Sequence, residues 1–216
     1  MKFSNGLISV AQHDPTYPRC LTRFLGEAAP VSITLRGNTD LLLKPEREVL
    51  AFFCSANTPA SVLLAVQDLA HQWRDRGLTV ISGFHSPAEK EVMTVLLRGH
   101  QPLMWVLARS MLTRFRPDER EAIENGRLLV ISPFSESINR ITFEKAQYRN
   151  RVATALADEV LIAYATPGSK TESLAREIVH WGKPMCTIEN HANRNLIELG
   201  IRMLTTRNEP TNHARK

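Results

Sequence analysis

Residues 49–54 read Val-Leu-Ala-Phe-Phe-Cys and run without interruption into the polar turn Ser55-Ala56-Asn57-Thr58-Pro59. A strand wetted on one face alternates polar and apolar residues. A continuous apolar run suits a strand covered on both faces, as in a parallel sheet. A parallel neighbour needs a crossover, usually a helix, and residues 60–76 supply one: Val62, Leu63, Val66, Leu69, Ala70 and Trp73 recur at helical spacing, and Gly77 stands where a helix closes.

The alternation repeats down the chain. Strand-like runs at 78–81, 103–107, 128–131, 159–164 and 184–188 are separated by helical segments at 87–98, 117–124, 141–156 and 171–181. Gly99, Gly126 and Gly182 follow helices, and Pro87 and Pro117 open them. Six strands alternating with five helices predict an α/β fold built as a doubly wound, mostly parallel sheet in a three-layer sandwich. Residues 1–44 read as an N-terminal extension packing on the core, with a short strand at 31–35. Residues 45–204 read as the sheet domain, and 205–216 as a polar tail.

Composition excludes several classes. Of 216 residues, 43% are hydrophobic and 23% charged, ordinary values for a globular chain. Twenty-seven Lys plus Arg against 22 Asp plus Glu leave a net charge of +5, which permits a polyanionic partner without demanding one. The three cysteines, Cys20, Cys54 and Cys186, are widely spaced and fit a reducing compartment. The apolar stretch at 6–11 is too short for a signal peptide, and no run approaches the ~18 residues of a membrane span. A cytoplasmic location without membrane contact is expected. The seven histidines show neither HxxxH nor HExxH spacing, so no metal site is expected.

In an open α/β sheet, ligands bind beyond the C-terminal ends of the strands, where helix N-termini favour anions. The segments there are Ser55-Ala56-Asn57-Thr58, Ser82-Gly83-Phe84-His85, Arg109-Ser110, Ser132-Pro133 and Thr166-Pro167-Gly168-Ser169-Lys170-Thr171. Hydroxyls, glycines and cations gathered at one edge suit a phosphate-bearing ligand. The same residue types also cap helices and build turns. Neither GxxxxGK[ST] nor GxGxxG occurs, so a P-loop and a dinucleotide fingerprint are both excluded. Arg149 and Arg151 are two apart on a helix, roughly 200° around its axis, so one can reach the sheet edge while the other stays free. A solvated arginine pair is equally compatible with that spacing.

Around Arg149-Asn150-Arg151 the sequence resembles the DNA-processing protein A (Smf) family. The likeness extends from Tyr17-Pro18, Leu21, Pro30 and Arg36-Gly37-Asn38, through Ser55, Ser82-Gly83, Asn125-Gly126 and Ser132, to Gly168-Ser169, Thr171, Asn195-Leu196-Ile197 and Gly200. The resemblance implies an extended Rossmann-like domain and a homodimer. It implies single-stranded DNA held by its phosphates, and a recombinase as protein partner. The binding residues it points to are Ser55, Asn57, Ser82, Gly83, Arg149, Asn150, Arg151, Gly168, Ser169 and Thr171, with Lys170 added on charge and position. No catalytic residue, cofactor or metal is assigned.

The departures mark a divergent, minimal member. Cys54 and Ala56 stand where the family has the glycine and arginine of a Gly-Ser-Arg turn, and Phe84-His85-Ser86-Pro87-Ala88-Glu89 replaces a glycine-rich turn. Phe84 and His85 are candidates for stacking on a base, though a Phe there also suits the core. An alternative is a small-nucleotide sensor, or an enzyme like the nucleoside-monophosphate phosphoribohydrolases, with Glu89 or Glu172 as its carboxylate. A lone Glu in the first turn of a helix is usually a dipole partner instead. A module that kept the fold and lost its ligand is the third reading.

Overall fold

The computed structural model describes residues 6–43 and 48–204. The polar tail expected at 205–216 lies outside the described residues. Nine strands within them form one sheet: β1 Ile8–Ala11, β2 Ser32–Gly37, β3 Val49–Cys54, β4 Thr79–Ser82, β5 Leu103–Val106, β6 Leu128–Ser132, β7 Glu159–Tyr164, β8 Met185–Ile188 and β9 Arg202–Leu204. Their spatial order is β1-β2-β6-β5-β4-β3-β7-β8-β9. From β6 to β9 every neighbouring pair is parallel, whereas β2 joins β6 antiparallel and β1 joins β2 antiparallel. The chain steps outward from β3 through β4 and β5 to β6, then returns to lay β7 on the other side of β3. That reversal makes the crevice between the ends of β3 and β7 the topological switch point.

Eight α-helices are described: α1 Arg19–Leu25, α2 Asp40–Leu43, α3 Ala60–Arg76, α4 Pro87–Leu97, α5 Pro117–Glu124, α6 Phe143–Leu156, α7 Lys170–His180 and α8 Arg194–Ile197. The alternate residues of β3 show how the layers form. Val49, Ala51 and Phe53 face a core completed by α1, α6 and α7. Leu50, Phe52 and Cys54 face a second core under α3, α4 and α5. All six residues of β3 are buried, as its unbroken apolar run requires. Phe52 and Phe53, 0% and 1% exposed, each contribute about 1.5–3 kcal/mol by leaving water. The architecture is the expected three-layer, Rossmann-like α/β fold.

The boundaries differ from the sequence pattern where a cap intervenes. Helix α6 begins at Phe143 because the Thr142 hydroxyl accepts the Lys145 N–H. Helix α7 begins at Lys170 because Ser169 caps it. Gly77 ends α3 with φ 75°, a left-handed turn that a β-carbon would strain. The strands β1 and β9 and the helices α1, α2 and α8 carry no comparable sequence signal.

Candidate functional site

The hydroxyls at the strand ends face inward. Ser55 is 7% exposed; its N–H donates to Tyr164 O at 2.9 Å, and its Oγ accepts the Thr166 N–H at 3.1 Å. It stitches β3 to the loop after β7 across the switch point, where the strand register slips between Phe53 and Cys54. Ser82, fully buried, donates to Phe52 O at 2.7 Å and accepts the Phe84 N–H at 3.2 Å. Ser132 repeats the device, donating to Arg109 O at 2.8 Å and accepting the Phe134 N–H at 3.3 Å. These hydroxyls hold neighbouring loops at fixed heights above the sheet.

Arg149 projects from α6 into the same edge. It is 4% exposed; Nη1 donates to Gly83 O at 3.1 Å and to Val106 O at 3.4 Å, and Nε donates to Asn150 Oδ1 at 2.6 Å. Trp105 Nε1 donates to the same Gly83 carbonyl at 3.1 Å. Burial pulls the Arg149 pKa down from its usual value, and the Glu89 charge opposes that shift. A β-carbon at Gly83 would lie 1.9 Å from Arg149 Cζ, so a side chain there would displace the guanidinium. The guanidinium therefore occupies the space a side chain at 83 would fill, bracing the ends of β4 and β5 from within.

Three helix N-termini at this edge already hold a carboxylate of their own. Glu89, 5% exposed, accepts Cys54 N–H at 3.2 Å, His85 N–H at 2.8 Å and Ser86 N–H at 3.4 Å. Ser86 Oγ accepts Glu89 N–H in return, completing a capping box. Glu172, 7% exposed, accepts the Gly168 N–H at 2.5 Å and pairs with Arg176 at 2.8 Å. Those bonds, the backbone one foremost, hold its pKa below the usual carboxylate range. Glu119 accepts the Arg116 N–H at 2.8 Å at the start of α5. These glutamates, each at the third helical position, occupy N–H groups of the segments that lead into α4, α5 and α7. The Ser86…Glu89 and Ser169…Glu172 spacings carry that signal.

The open part of the edge lies between α6 and α7. Asn150, Arg151, Lys170 and Glu177 line a cleft of about 70 Å³. Arg151 Nε pairs with Glu177 Oε1 at 2.8 Å, both groups about one-third exposed, and exposed Lys170 holds its Nζ 5.9 Å from the Phe143 ring centre. Half-buried Ser169 and Thr171 adjoin them, and Asn57 and Gly168 stand exposed at the switch point. Thus Asn150, Arg151, Lys170 and the Gly168–Thr171 loop come together. Ser55, Ser82, Gly83 and Arg149 form the frame behind them. Phe84 is 4% exposed with φ 47° and belongs to the core, so it offers no stacking face, while His85 beside it is exposed. Cys54 and Cys186 are buried free thiols.

The donors that line the cleft, Asn150, Arg151 and Lys170, suit the oxygens of a phosphate. Contacts confined to phosphates position a strand without reading its sequence. Among the described residues no group of three or more His, Cys, Asp or Glu is placed to hold a metal ion.

Known structures share the fold. Relatives in fold include DNA processing protein A from Streptococcus pneumoniae, with a TM-score of 0.74 at 19% identity, covering 92% of this chain and 71% of that one. DNA processing protein A from Helicobacter pylori, described by its single-stranded DNA binding mode, gives a TM-score of 0.74 at 20% identity, covering 94% of this chain and 93% of that one. The molybdenum cofactor binding protein of Rippkaea orientalis shares the sheet more distantly, with a TM-score of 0.51 at 10% identity, covering 74% and 90%. No curated protein matches the sequence significantly. The model of the DNA recombination-mediator protein A family matches residues 9–213, nearly the whole chain, and the chain belongs to that family.

Proposed function

We propose that the chain binds single-stranded DNA through its phosphates at the C-terminal edge of the sheet, in the service of recombination. The observation that carries this reading is the meeting of Asn150, Arg151 and Lys170 in the cleft between α6 and α7, beside the Gly168–Thr171 loop. Its family membership and the single-stranded DNA binding of the Helicobacter pylori relative support it. Arg151 and Lys170 act as the phosphate contacts, with Asn150, Asn57, Ser169 and Thr171 as neutral partners. Arg149 acts as a positioning residue that holds Gly83 and Asn150 in place. Glu89 and Glu172, the carboxylates a glycosidic cleavage would use, are held by backbone N–H groups.

We further propose residues 45–204 as the binding unit, with 1–44 as an extension on it. A homodimer and a recombinase partner follow from the family resemblance, and a cytoplasmic location from the wide cysteine spacing. No helix among the described residues is long and apolar enough to cross a membrane.

Fluorescence anisotropy of a labelled single strand across a salt series tests the reading. Binding is expected to weaken linearly in log–log form as salt rises, through counterion release. Absence of binding at low salt overturns it, and a thermal-shift response to a mononucleotide in its place would favour a small-nucleotide ligand.

A further inference from the structure

The opposite edge of the sheet carries a larger opening. Helices α3 and α4 both start at the C-terminal edge and end at the N-terminal edge, about 25 Å away for the 17 residues of α3. Between their C-terminal ends lies an open groove of about 740 Å³ whose lining includes Arg74, Asp75, Arg98 and His100. Arg74 Nε is held by Asp75 Oδ1 at 2.8 Å, and exposed Arg98 adds positive charge to the opposite wall. Gly99 shapes the wall: a β-carbon there would lie 2.4 Å from Arg74 Cγ and 2.2 Å from Gln101 Oε1, so its absence lets the Arg74 stem cross the end of α4.

Arginines near helix C-termini ordinarily complement the helix dipole. Two further features exceed that role here. The opening is large enough to receive part of a chain ligand, within the range of small-molecule sites. A polar stripe also leads to it: Lys90, Thr94 and Arg98 fall at four-residue spacing along the outer side of α4, with Lys90 and Arg98 exposed. Exposed Glu91 lies one position off that line. The stripe begins beside the His85 loop at the C-terminal edge and ends in the groove.

We propose that this groove is a second phosphate-contact surface, engaged by a single strand of DNA long enough to run from the C-terminal edge along α4. The inference rests on the DNA-binding reading above. A short strand occupies the α6–α7 cleft alone. A longer one adds contacts to Lys90 and Arg98.

The test uses two labelled single strands, one of about 8 nucleotides and one several times longer. Each is titrated across a salt series into the full chain, the Lys90→Glu/Arg98→Glu variant and the Arg151→Gln/Lys170→Gln variant. A neutral Lys90→Gln/Arg98→Gln variant, with thermal melts of all proteins, guards against loss of fold. The charge reversal is expected to weaken the long strand at least tenfold at low salt. It should lower the log–log salt slope by about two, and leave the short strand unchanged. The neutral variant should lower the slope similarly with a smaller loss of affinity.

Equal binding of the long strand by the unaltered and charge-reversed proteins overturns the second surface. If the Arg151/Lys170 variant still loses both strands in that case, the primary reading stands without it. If that variant instead keeps both strands while the charge reversal loses the long one, the primary cleft is wrong and the groove remains. Failure of the unaltered protein to bind either strand overturns both.

Discussion

Gly83 and Arg149 share one volume: the position of a β-carbon on residue 83 lies 1.9 Å from the centre of the Arg149 guanidinium. Gly83→Ala is therefore expected to destabilise the fold by about 1–3 kcal/mol, as overpacking of a buried site does. In an Arg149→Ala background the same change should cost far less, since its obstacle is gone. A double-mutant cycle by denaturant unfolding is expected to show a coupling of about 1–2 kcal/mol. Additive effects would mean that the two residues do not compete for space.

Arg149→Ala alone removes donors from Gly83 and Val106 carbonyls and frees Asn150. We expect a loss of about 2–3 kcal/mol in stability, the scale of buried hydrogen bonds to a charged group. Loss of DNA binding in this variant accompanies a lower melting temperature. The cations to alter for binding are Arg151 and Lys170. Their conversion to glutamine should leave the melting temperature within a few degrees and reduce the salt slope of strand binding by about two.

Glu172 links the α7 cap to pH. Its folded-state pKa is depressed, so its contribution to stability is complete above the ordinary carboxyl value of 4.5 and is lost as pH falls through the lower folded value. Melting temperature against pH should fall on that acid limb, and Glu172→Gln should flatten the fall while lowering stability near neutrality. An unchanged acid limb would show that Glu172 carries no part of it.

The thiols should react unequally. Burial pushes the Cys54 and Cys186 thiols up to about 12, and raises the half-buried Cys20 thiol as well. Alkylation of the native protein, read by mass spectrometry, should reach Cys20 first, with all three cysteines modified after unfolding. Early modification of Cys54 would place the end of β3 closer to solvent than the structure has it.

From residue 49 onward the fold was legible because each strand is a doubly covered apolar run and each crossover helix has an evident start or stop. The strand β1 was hidden because its four residues, two of them facing solvent, are too few to set a strand apart within the short apolar stretch at 6–11. The strand β9 is three residues long with Arg202 and Met203 exposed, too short for any periodicity. At the candidate site the strand-end position of Ser55 and Ser82 could be read, but not the direction of their hydroxyls. An inward tie and an outward ligand contact look identical in sequence. The pair at 149 and 151 did diverge around α6. Arg149 reaches the sheet edge, while Arg151 is ion-paired with Glu177 rather than free.

The glutamates at the third position of α4, α5 and α7 give the molecule a division of labour. Because each carboxylate ties down the segment ahead of its helix from within, that segment's geometry does not depend on whether a strand of DNA is present. Attraction for a polyanion then resides in exposed side chains such as Lys170, which take no part in closing those helices. Affinity can accordingly drift up or down, residue by residue, while the architecture beneath stays fixed.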